Sequence, residues 1–220
     1  MRETLEDRQF KQVVLEHSRW LTSQGHQGRR AQLAPFFAYA PQLLAIEIAE
    51  MELVDSRLPL ADLRYARVID SQLIGVDLFR CQAYQSCFSR SNLTRARLEG
   101  ANLTETIARR TVFDQANLVR AVLSRADLLQ ASLRGAELRD AFLAGANLSQ
   151  CDFSQADLRG ADFTGANLQQ ADLTGADLRG AILWDAELRG ASLRKADLRG
   201  THVAKRQLED VATLQAARFE

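Results

Sequence analysis

The feature that most constrains this chain is a repeat of five residues. Residues 156–160, 161–165 and 166–170 read ADLRG, ADFTG and ANLQQ. Within a unit the alanine and the leucine are two residues apart, so an extended backbone places both on the same side. The next alanine follows after three residues, which on a straight strand is the opposite side. The period therefore predicts three extended residues and a two-residue bend, where glycine and polar residues are favoured.

A chain that bends in the same sense at every unit forms a solenoid. Leucines of one turn are then buried against the adjacent turns, and backbone groups pair between turns. A helix is excluded, because a period of five does not match a period of 3.6 residues. The central residue of each unit has a number ending in 3 or 8, from Leu33 to Val203, without an insertion. The sequence thus predicts an all-β solenoid, whereas the spacing of its Leu-Arg pairs leaves the number of units per turn open.

These units resemble those of the pentapeptide repeat family, which read A(D/N)LXX. The resemblance implies a right-handed quadrilateral β-helix with four units in each coil. The segment before the repeats, which contains His17, Trp20 and Gly25, is similar to the helical leader of many bacterial members. A solenoid also needs lids, because an uncovered end exposes apolar side chains and unpaired backbone.

The chain divides into three segments on this basis. Residues 1–30 predict an N-terminal helical cap, because apolar residues follow helical spacing up to Gly25. Residues 31–203 predict the pentapeptide-repeat β-helix. Its first coils are expected to be irregular to about residue 55, and partly helical over 42–51. The reason is that four large residues replace the small residue of the early units, namely Phe36, Pro41, Ile46 and Met51.

Residues 204–220 predict a C-terminal capping helix, in which Leu208, Val211 and Leu214 lie toward one side. Two interpretations remain open for it. The helix is a second lid, or it is the contact of a homodimer, because some family members pair through their C-terminal ends.

The core of the repeat region contains two substitutions that suggest a packing arrangement. Ala83 and Ala108 stand where leucine is expected. If four units form a coil, Ala108 lies directly above Phe88, and a large residue beside a small one preserves the core volume.

The charge balance restricts the class of partner. The chain has 28 basic and 28 acidic residues, which predicts no strong attraction to nucleic acid or to an anionic membrane. The first residues lack the apolar run of a signal peptide. The longest apolar region, 33–51, is interrupted by prolines and polar residues, so no membrane span is expected. A cytoplasmic location is the resulting expectation.

Residues with catalytic or metal-binding chemistry are scattered. Cys81, Cys87 and Cys151 have no metal-binding spacing, and the histidines belong to opposite ends of the predicted rod. No nucleophile or phosphate-binding motif occurs. The many aspartates occupy one fixed position of the repeat, and a filled rod offers no water-excluding pocket. The sequence predicts no catalytic residue, no metal, no cofactor and no enzyme.

Departures from the repeat indicate candidate binding surfaces. One face of a four-sided coil would carry apolar residues at outward positions, and such patches on soluble proteins mark contacts. Contact with a protein partner or with a second copy of the chain is one interpretation of this face, and a terminal helix folded over it is the other. The face contains Tyr84, Val122, Phe142, Ile182 and Trp184.

A second candidate surface is a basic belt before the most regular repeats. It is either a contact for an acidic protein or phosphate, or simply solvated surface. Its arginines are Arg80, Arg90, Arg95, Arg97, Arg109, Arg110, Arg120 and Arg125.

Two functions are compatible with these features. The first is a non-enzymatic scaffold that binds an unidentified protein through a lateral face of the β-helix. The alternative comes from family resemblance: some members mimic duplex DNA, bind DNA gyrase or topoisomerase IV, and protect against quinolones or toxins. That activity requires an anionic surface, whereas this chain is neutral. The sequence therefore favours the scaffold.

Overall fold

The computed structural model describes residues 5–24, 37–39 and 41–219. From residue 41 to 203 the backbone follows one repeated path, in which the residue before the central residue of each unit forms a parallel bridge. Each bridge joins residues twenty apart, as in Asn117 with Glu137 and Glu137 with Asp157. Four units of five residues therefore make one coil. The fold is the predicted right-handed quadrilateral β-helix.

Regular secondary structure is sparse because each side of the coil is so short. Helix α1 spans Leu5–Thr22, strand β1 Glu47–Ala49, strand β2 Arg67–Ile69, and helix α2 Lys205–Leu208. Strand β1 pairs with β2 in parallel, with Glu47 opposite Arg67. No helix in the described part of the chain is both long and apolar enough to cross a membrane.

The four sides of the rod are named here by the outward residue that precedes each central residue. The first face carries Gln42, Asp62, Gln82, Asn102, Val122, Phe142, Asp162, Ile182 and His202. The second carries Glu47, Arg67, Cys87, Ile107, Asp127, Asn147, Asn167 and Glu187. The third runs from Glu52 to Thr213, and the fourth from Phe37 to Arg218.

Each corner between two faces requires a left-handed residue. The last residue of a unit has a positive φ, for example 60° at Gln130 and 67° at Gly145. Glycine adopts this conformation without strain, and other residues at some cost. The Gly145 N–H donates to the Thr164 carbonyl of the next coil at 2.9 Å, so the corner is stabilised by the ladder between coils.

The aspartate or asparagine of the repeat has a local structural role. Its side-chain oxygen accepts a hydrogen bond from the backbone N–H two residues later. Thr164 N–H donates to Asp162 Oδ1 at 2.9 Å, and Gln169 N–H donates to Asn167 Oδ1 at 3.0 Å. A carboxylate and a carboxamide oxygen both accept this bond, which explains why the two residue types alternate.

The core is a column of stacked alanines, leucines and a few phenylalanines. Phe88 N–H donates to the Ile107 carbonyl at 2.8 Å, which places Ala108 directly over Phe88. Both residues are buried, so the predicted pairing of large with small is confirmed. A void of about 10 Å³ in the first coils, lined by seven leucine or valine side chains and Phe88, is too small and apolar to hold a substrate.

The first coils are more regular than the sequence indicated. Leu43 N–H donates to the Asp62 carbonyl at 2.8 Å, and β1 lies where a partly helical path was expected. The prediction of irregular coils from residue 41 to 55 is therefore wrong. The physical reason is that the buried residues stacked on Pro41, Ile46 and Met51 in the next coil are small. They are Ala61, Ala66 and Ser71, so the stack accommodates the bulk of the large residues. Residues 31–36, including Phe36, lie outside the described residues.

Helix α1 covers the N-terminal end of the rod. Val14 and His17 are buried, and His17 Nε2 is hydrogen-bonded to the Ala49 carbonyl of β1. The His17 ring stacks on Trp20 at 5.8 Å between ring centroids. Residues 1–4 and 25–30 of the predicted cap lie outside the described residues.

The C-terminal segment differs from the predicted helix over 204–220. Helix α2 covers Lys205–Leu208 alone, and the chain then resumes the β-helix path. Thr213 bridges Ser192, a spacing of 21 residues, because α2 and its connections add one residue to the coil. The sequence signal was present: Ala212, Thr213 and Leu214 form a repeat unit shifted by one position.

Candidate protein-docking face

The five apolar candidates all belong to the first face, but they form three separate spots. Val122 bridges Phe142, and Phe142 bridges Asp162, which in turn bridges Ile182. Asp162 therefore interrupts the apolar row between Phe142 and Ile182. The strand spacing of about 4.8 Å places these two residues about 10 Å apart along the rod.

The first spot is Val122 with Phe142. The Phe142 residue is 49% exposed, whereas Val122 is half-buried. Ala144 and Gly145, which come after Phe142 and the buried Leu143 on the same coil, are both small. An exposed phenylalanine on a backbone fixed by hydrogen bonds on both sides offers a partner a rigid apolar contact.

The second spot is Trp184 with Ile182 at the C-terminal end of the face. Trp184 is 58% exposed, and its ring lies 5.5 Å from the His202 ring. His202 also bridges Ile182 in the next coil. Because Trp184 remains so exposed, α2 does not fold back over this spot, and that interpretation of the apolar face is excluded for Trp184.

The third spot lies toward the N-terminal end of the rod. Tyr84 is half-buried and meets Tyr65 edge-on at 5.8 Å between ring centroids. Desolvation, followed by the charge of Glu105, raises the pKa of Tyr84. Tyr65 is more exposed than Tyr84 and was not among the sequence-based candidates.

The basic belt is not one patch. Its arginines are distributed over the four faces and their corners, and Arg80 and Arg97 lie over the Phe79 ring. Within the described ranges, Arg95 and Arg120 have no ion pair. Four other members pair with acids: Arg90 with Asp70, Arg97 with Asp77, Arg109 with Asp127, and Arg125 with Glu105. Arg110 instead donates to Gln130 at 2.8 Å.

The fourth face carries a ladder of ion pairs. Arg159 donates twice to Asp157, with both contacts at 2.8 Å, and Arg139 of the preceding coil reaches Asp157 at 2.9 Å. These hydrogen bonds, that of Arg159 above all, lower the pKa of Asp157 to about 2. Asp177 and Asp197 pair with Arg179 and Arg199 in the same way. The acids of this face are thus neutralised by their neighbours.

Comparison with known proteins decides the family. The model for pentapeptide repeats matches 8 copies between residues 86 and 203. The chain belongs to the pentapeptide repeat family. A comparison with curated protein sequences found no match.

Solved structures of other pentapeptide repeat proteins resemble this one. Rfr23 from the cyanobacterium Cyanothece 51142 is 36% identical over 47% of this chain and 64% of its own chain, with a TM-score of 0.40. HetL from Nostoc sp. strain PCC 7120, involved in heterocyst differentiation regulation, is 29% identical over 91% of this chain and 92% of its own, with a TM-score of 0.37. A trypsin-treated variant of QnrB1, a plasmid-mediated fluoroquinolone resistance protein, is 20% identical over 84% of this chain and 92% of its own, with a TM-score of 0.56. The last likeness concerns the fold alone.

This pentapeptide repeat protein exposes further apolar residues that sequence reasoning missed. Phe37 and Tyr39 lie on the fourth face, Leu44 on the first face, and Ile107 on the second. The repeat register contained the signal, because each of them occupies an outward position. Phe37, Tyr39 and Leu44 belong to early units that match the repeat poorly, which weakens the signal there.

Groups with catalytic or metal-binding potential are dispersed in the described part of this pentapeptide repeat protein. No group of three or more His, Cys, Asp or Glu side chains among those residues could hold a metal ion. Burial raises the pKa of the Cys81 and Cys151 thiols to about 12, so neither is a reactive thiolate at neutral pH. The Cys87 Sγ donates to Ser89 Oγ at 3.5 Å.

Proposed function

We propose that this pentapeptide repeat protein is a non-enzymatic scaffold that binds a protein partner through its first face. The observation that carries the proposal is the pair of exposed aromatic residues, Phe142 and Trp184, on one side of a rigid rod. Large aromatic residues dominate the energetics of protein interfaces, and rigid presentation lowers the entropy lost on binding. We propose the cytoplasm as the compartment of this interaction.

The size of the face fits a protein partner. The two spots between Val122 and His202 span four coils, which is about 19 Å along the rod. A standard interface buries about 800 Å² on each partner, so the polar residues around the spots must contribute as its rim. Asp162 lies between the spots and favours a partner that presents a donor there.

Affinity capture with purified variants tests the proposal. Phe142→Asp combined with Trp184→Asp should lose the bound protein, because each change places a carboxylate in a desolvated contact. Ile107→Asp is the matched control, since Ile107 is also exposed at an outward position but belongs to the second face. Retention of the partner by the double variant, or equal loss in the control, would reject the first face.

Inhibition or protection of a type II topoisomerase is the less favoured alternative. The fold is shared with QnrB1. DNA mimicry needs unpaired negative charge, however, and Asp157, Asp177 and Asp197 are each paired with arginine. Gyrase and topoisomerase IV assays with and without a quinolone should therefore show no effect of the protein at micromolar concentration. Dose-dependent protection in either assay would favour this alternative over the scaffold.

A second observation favours self-association through the C-terminal end. Leu208 and Val211 pack partly against the core, as the residues of a lid would, whereas Leu214 and Phe219 in the last coil remain exposed. We propose that Leu214 and Phe219 contact a second copy. Light scattering should then report a lower mass for Leu214→Asp combined with Phe219→Asp than for the wild type. Equal masses, with both proteins folded, would refute the dimer.

A further inference from the structure

The second face ends one strand earlier than the other three. It is paired from Glu47 to Glu187, coil by coil, and then no strand bridges Glu187. The neighbouring faces continue, because Ile182 bridges His202 and Ser192 bridges Thr213. Between His202 and Thr213 the chain forms the short helix α2 and makes no bridge to Glu187.

The missing strand leaves an unpaired backbone donor. In the coils below, the N–H groups of Leu148 and Leu168 donate to Asn167 and Glu187 carbonyls at 2.7 and 2.8 Å. The corresponding N–H of Leu188 has no acceptor among the described residues, although Leu188 is buried. A buried amide without an acceptor is unfavourable unless water or a ligand satisfies it.

The acceptor on the same strand edge is occupied by a side chain. In the coil below, the Ala166 carbonyl accepts from Glu187 N–H at 2.9 Å. The equivalent Ala186 carbonyl accepts from the Gln207 carboxamide Nε2 at 2.8 Å. Gln207 also donates to the Leu183 carbonyl at 2.6 Å and accepts from Ala204 N–H at 2.8 Å. Gln207 thus replaces one backbone donor of the missing strand and leaves the other pairing position open.

A surface gap of about 260 Å³ lies at this position. It is lined by Gln169, Ala186, Glu187, Leu188, Arg189, Arg206, Gln207 and Asp210. The two acids and two arginines cancel, so the gap does not select a strongly charged ligand. Leu208 packs against the core at this end of the rod, so we expect the inward side of the gap to admit a small side chain alone.

We infer that this gap binds an extended segment of a partner protein, which adds a parallel strand to the second face above Glu187. Edge strands bind peptides in this way, with backbone bonds supplying affinity and side-chain positions supplying selectivity. A carbonyl of the segment accepts from Leu188 N–H, and its own N–H competes with Gln207 for the Ala186 carbonyl. The segment carries a small inward residue flanked by polar ones. The site lies on a different face from Phe142 and Trp184, so it does not depend on the docking proposed there.

The probe is a capped pentapeptide with the sequence of residues 166–170 in which the inward Leu168 is shortened to alanine. Residues 166–170 form the unit of the second face that lies one coil below Glu187, so the peptide has the sequence of a strand that already pairs on this face. A peptide of this length should bind in the range of about 1 mM. In amide NMR spectra of the full chain, its addition should shift the Leu188 signal and slow Leu188 hydrogen exchange by about tenfold at saturation. The Leu168 amide, already paired, is the internal control.

Matched reagents make the test decisive. The same peptide methylated on the backbone nitrogen of its asparagine should bind several-fold more weakly, because that nitrogen can no longer donate a hydrogen bond to the Ala186 carbonyl. Gln207→Ala should bind the unmodified peptide more tightly, because the competing carboxamide is absent. The inference is overturned if Leu188 does not respond, if both peptides act equally, or if inorganic phosphate alone reproduces the Leu188 shift, which would indicate an anion site.

Discussion

Phe88 lies directly below Ala108, and the two buried side chains share the volume that two leucines occupy elsewhere in the column. The neighbours of Phe88 in the stack are thus Val68 in one direction and a single methyl group in the other. The Phe88 side chain therefore occupies core volume at the level of its own coil and of the coil that contains Ala108.

Replacement of Phe88 by alanine should lower the free energy of unfolding by about 3–5 kcal/mol, the range for deletion of a buried phenylalanine. Two alanines, at positions 88 and 108, would then be stacked on each other. The hydrogen-bonded backbone of the coils cannot collapse to fill the cavity between them. Urea denaturation measures the change. Phe142→Ala is the control, since removal of this exposed ring should lower the free energy of unfolding by less than about 1 kcal/mol. A loss below about 1 kcal/mol for Phe88→Ala would contradict the stacking.

Asp157 should make stability depend on pH. Arg159, followed by the opposing effect of burial and then by Arg139, moves its pKa from 3.8 to about 2. Because the pKa falls on folding, the ionised carboxylate stabilises the fold above about pH 4, and this contribution is lost as the pH decreases through 2.

The measurement is the stability difference between wild type and Asp157→Asn at several pH values. It should be on the order of 2 kcal/mol at pH 7 and decline toward pH 2. Asp185→Asn is the control, because that carboxylate is 77% exposed and pairs with Arg206 at 3.3 Å. Such surface pairs contribute about 0–1 kcal/mol. A difference for Asp157→Asn that does not change with pH would exclude this carboxylate as a source of acid sensitivity.

Gln207 should hold the end of the rod together. Gln207→Ala leaves the Leu183 and Ala186 carbonyls without this donor, at about 0.5–1.5 kcal/mol for each bond. The Gly190 and Leu193 amides donate to Asp210 and Thr213 carbonyls beyond α2, so their hydrogen exchange should accelerate by roughly 10–100-fold. Gln215→Ala, an exposed change in the last coil, should leave both amides unaffected, and equal exchange in both variants would show that Gln207 does not anchor α2.

Asp162 tests the role of the repeated aspartate or asparagine. Its Oδ1 accepts from the Thr164 N–H at 2.9 Å and from the Thr164 hydroxyl at 2.6 Å. Asp162→Asn keeps an oxygen acceptor and should change stability by less than about 0.5 kcal/mol, whereas Asp162→Ala should cost about 1 kcal/mol. Thermal melts at neutral pH compare the pair. If both variants lose the same amount of stability, the charge of Asp162 and not its hydrogen bond is the source of its contribution to stability.

The sequence determined the column of the rod because its signal is repeated at every unit. Ala108 over Phe88 followed once four units were assigned to a coil. The structure of the two ends was harder to predict from the sequence, because it depends on single contacts and not on a repeated signal. Nothing in the spacing indicated that Gln207 substitutes for a backbone donor, and this substitution allows one turn of helix to replace a strand.

The candidate site was predictable in part. The register assigned Phe142 and Trp184 to one face, but it did not show that Asp162 separates the apolar spots. The order of residues along a face depends on the number of units per coil, which the bridges between coils establish. The local positive charge of the belt follows from the sequence alone. Its pairing occurs between coils, as in Arg90 with Asp70 and Arg109 with Asp127, and therefore depended on the coil geometry.

The unbroken register between residues 41 and 203 has a consequence for how such a rod changes in evolution. Loss or gain of a whole coil shifts everything beyond it by about 4.8 Å and preserves each face. Loss of a single unit between Phe142 and Ile182 would keep the same core yet turn Ile182 and Trp184 by a quarter of a revolution. The core is therefore preserved by any insertion or deletion of a whole five-residue unit. A lateral binding surface is preserved only when the change is a whole coil of twenty residues.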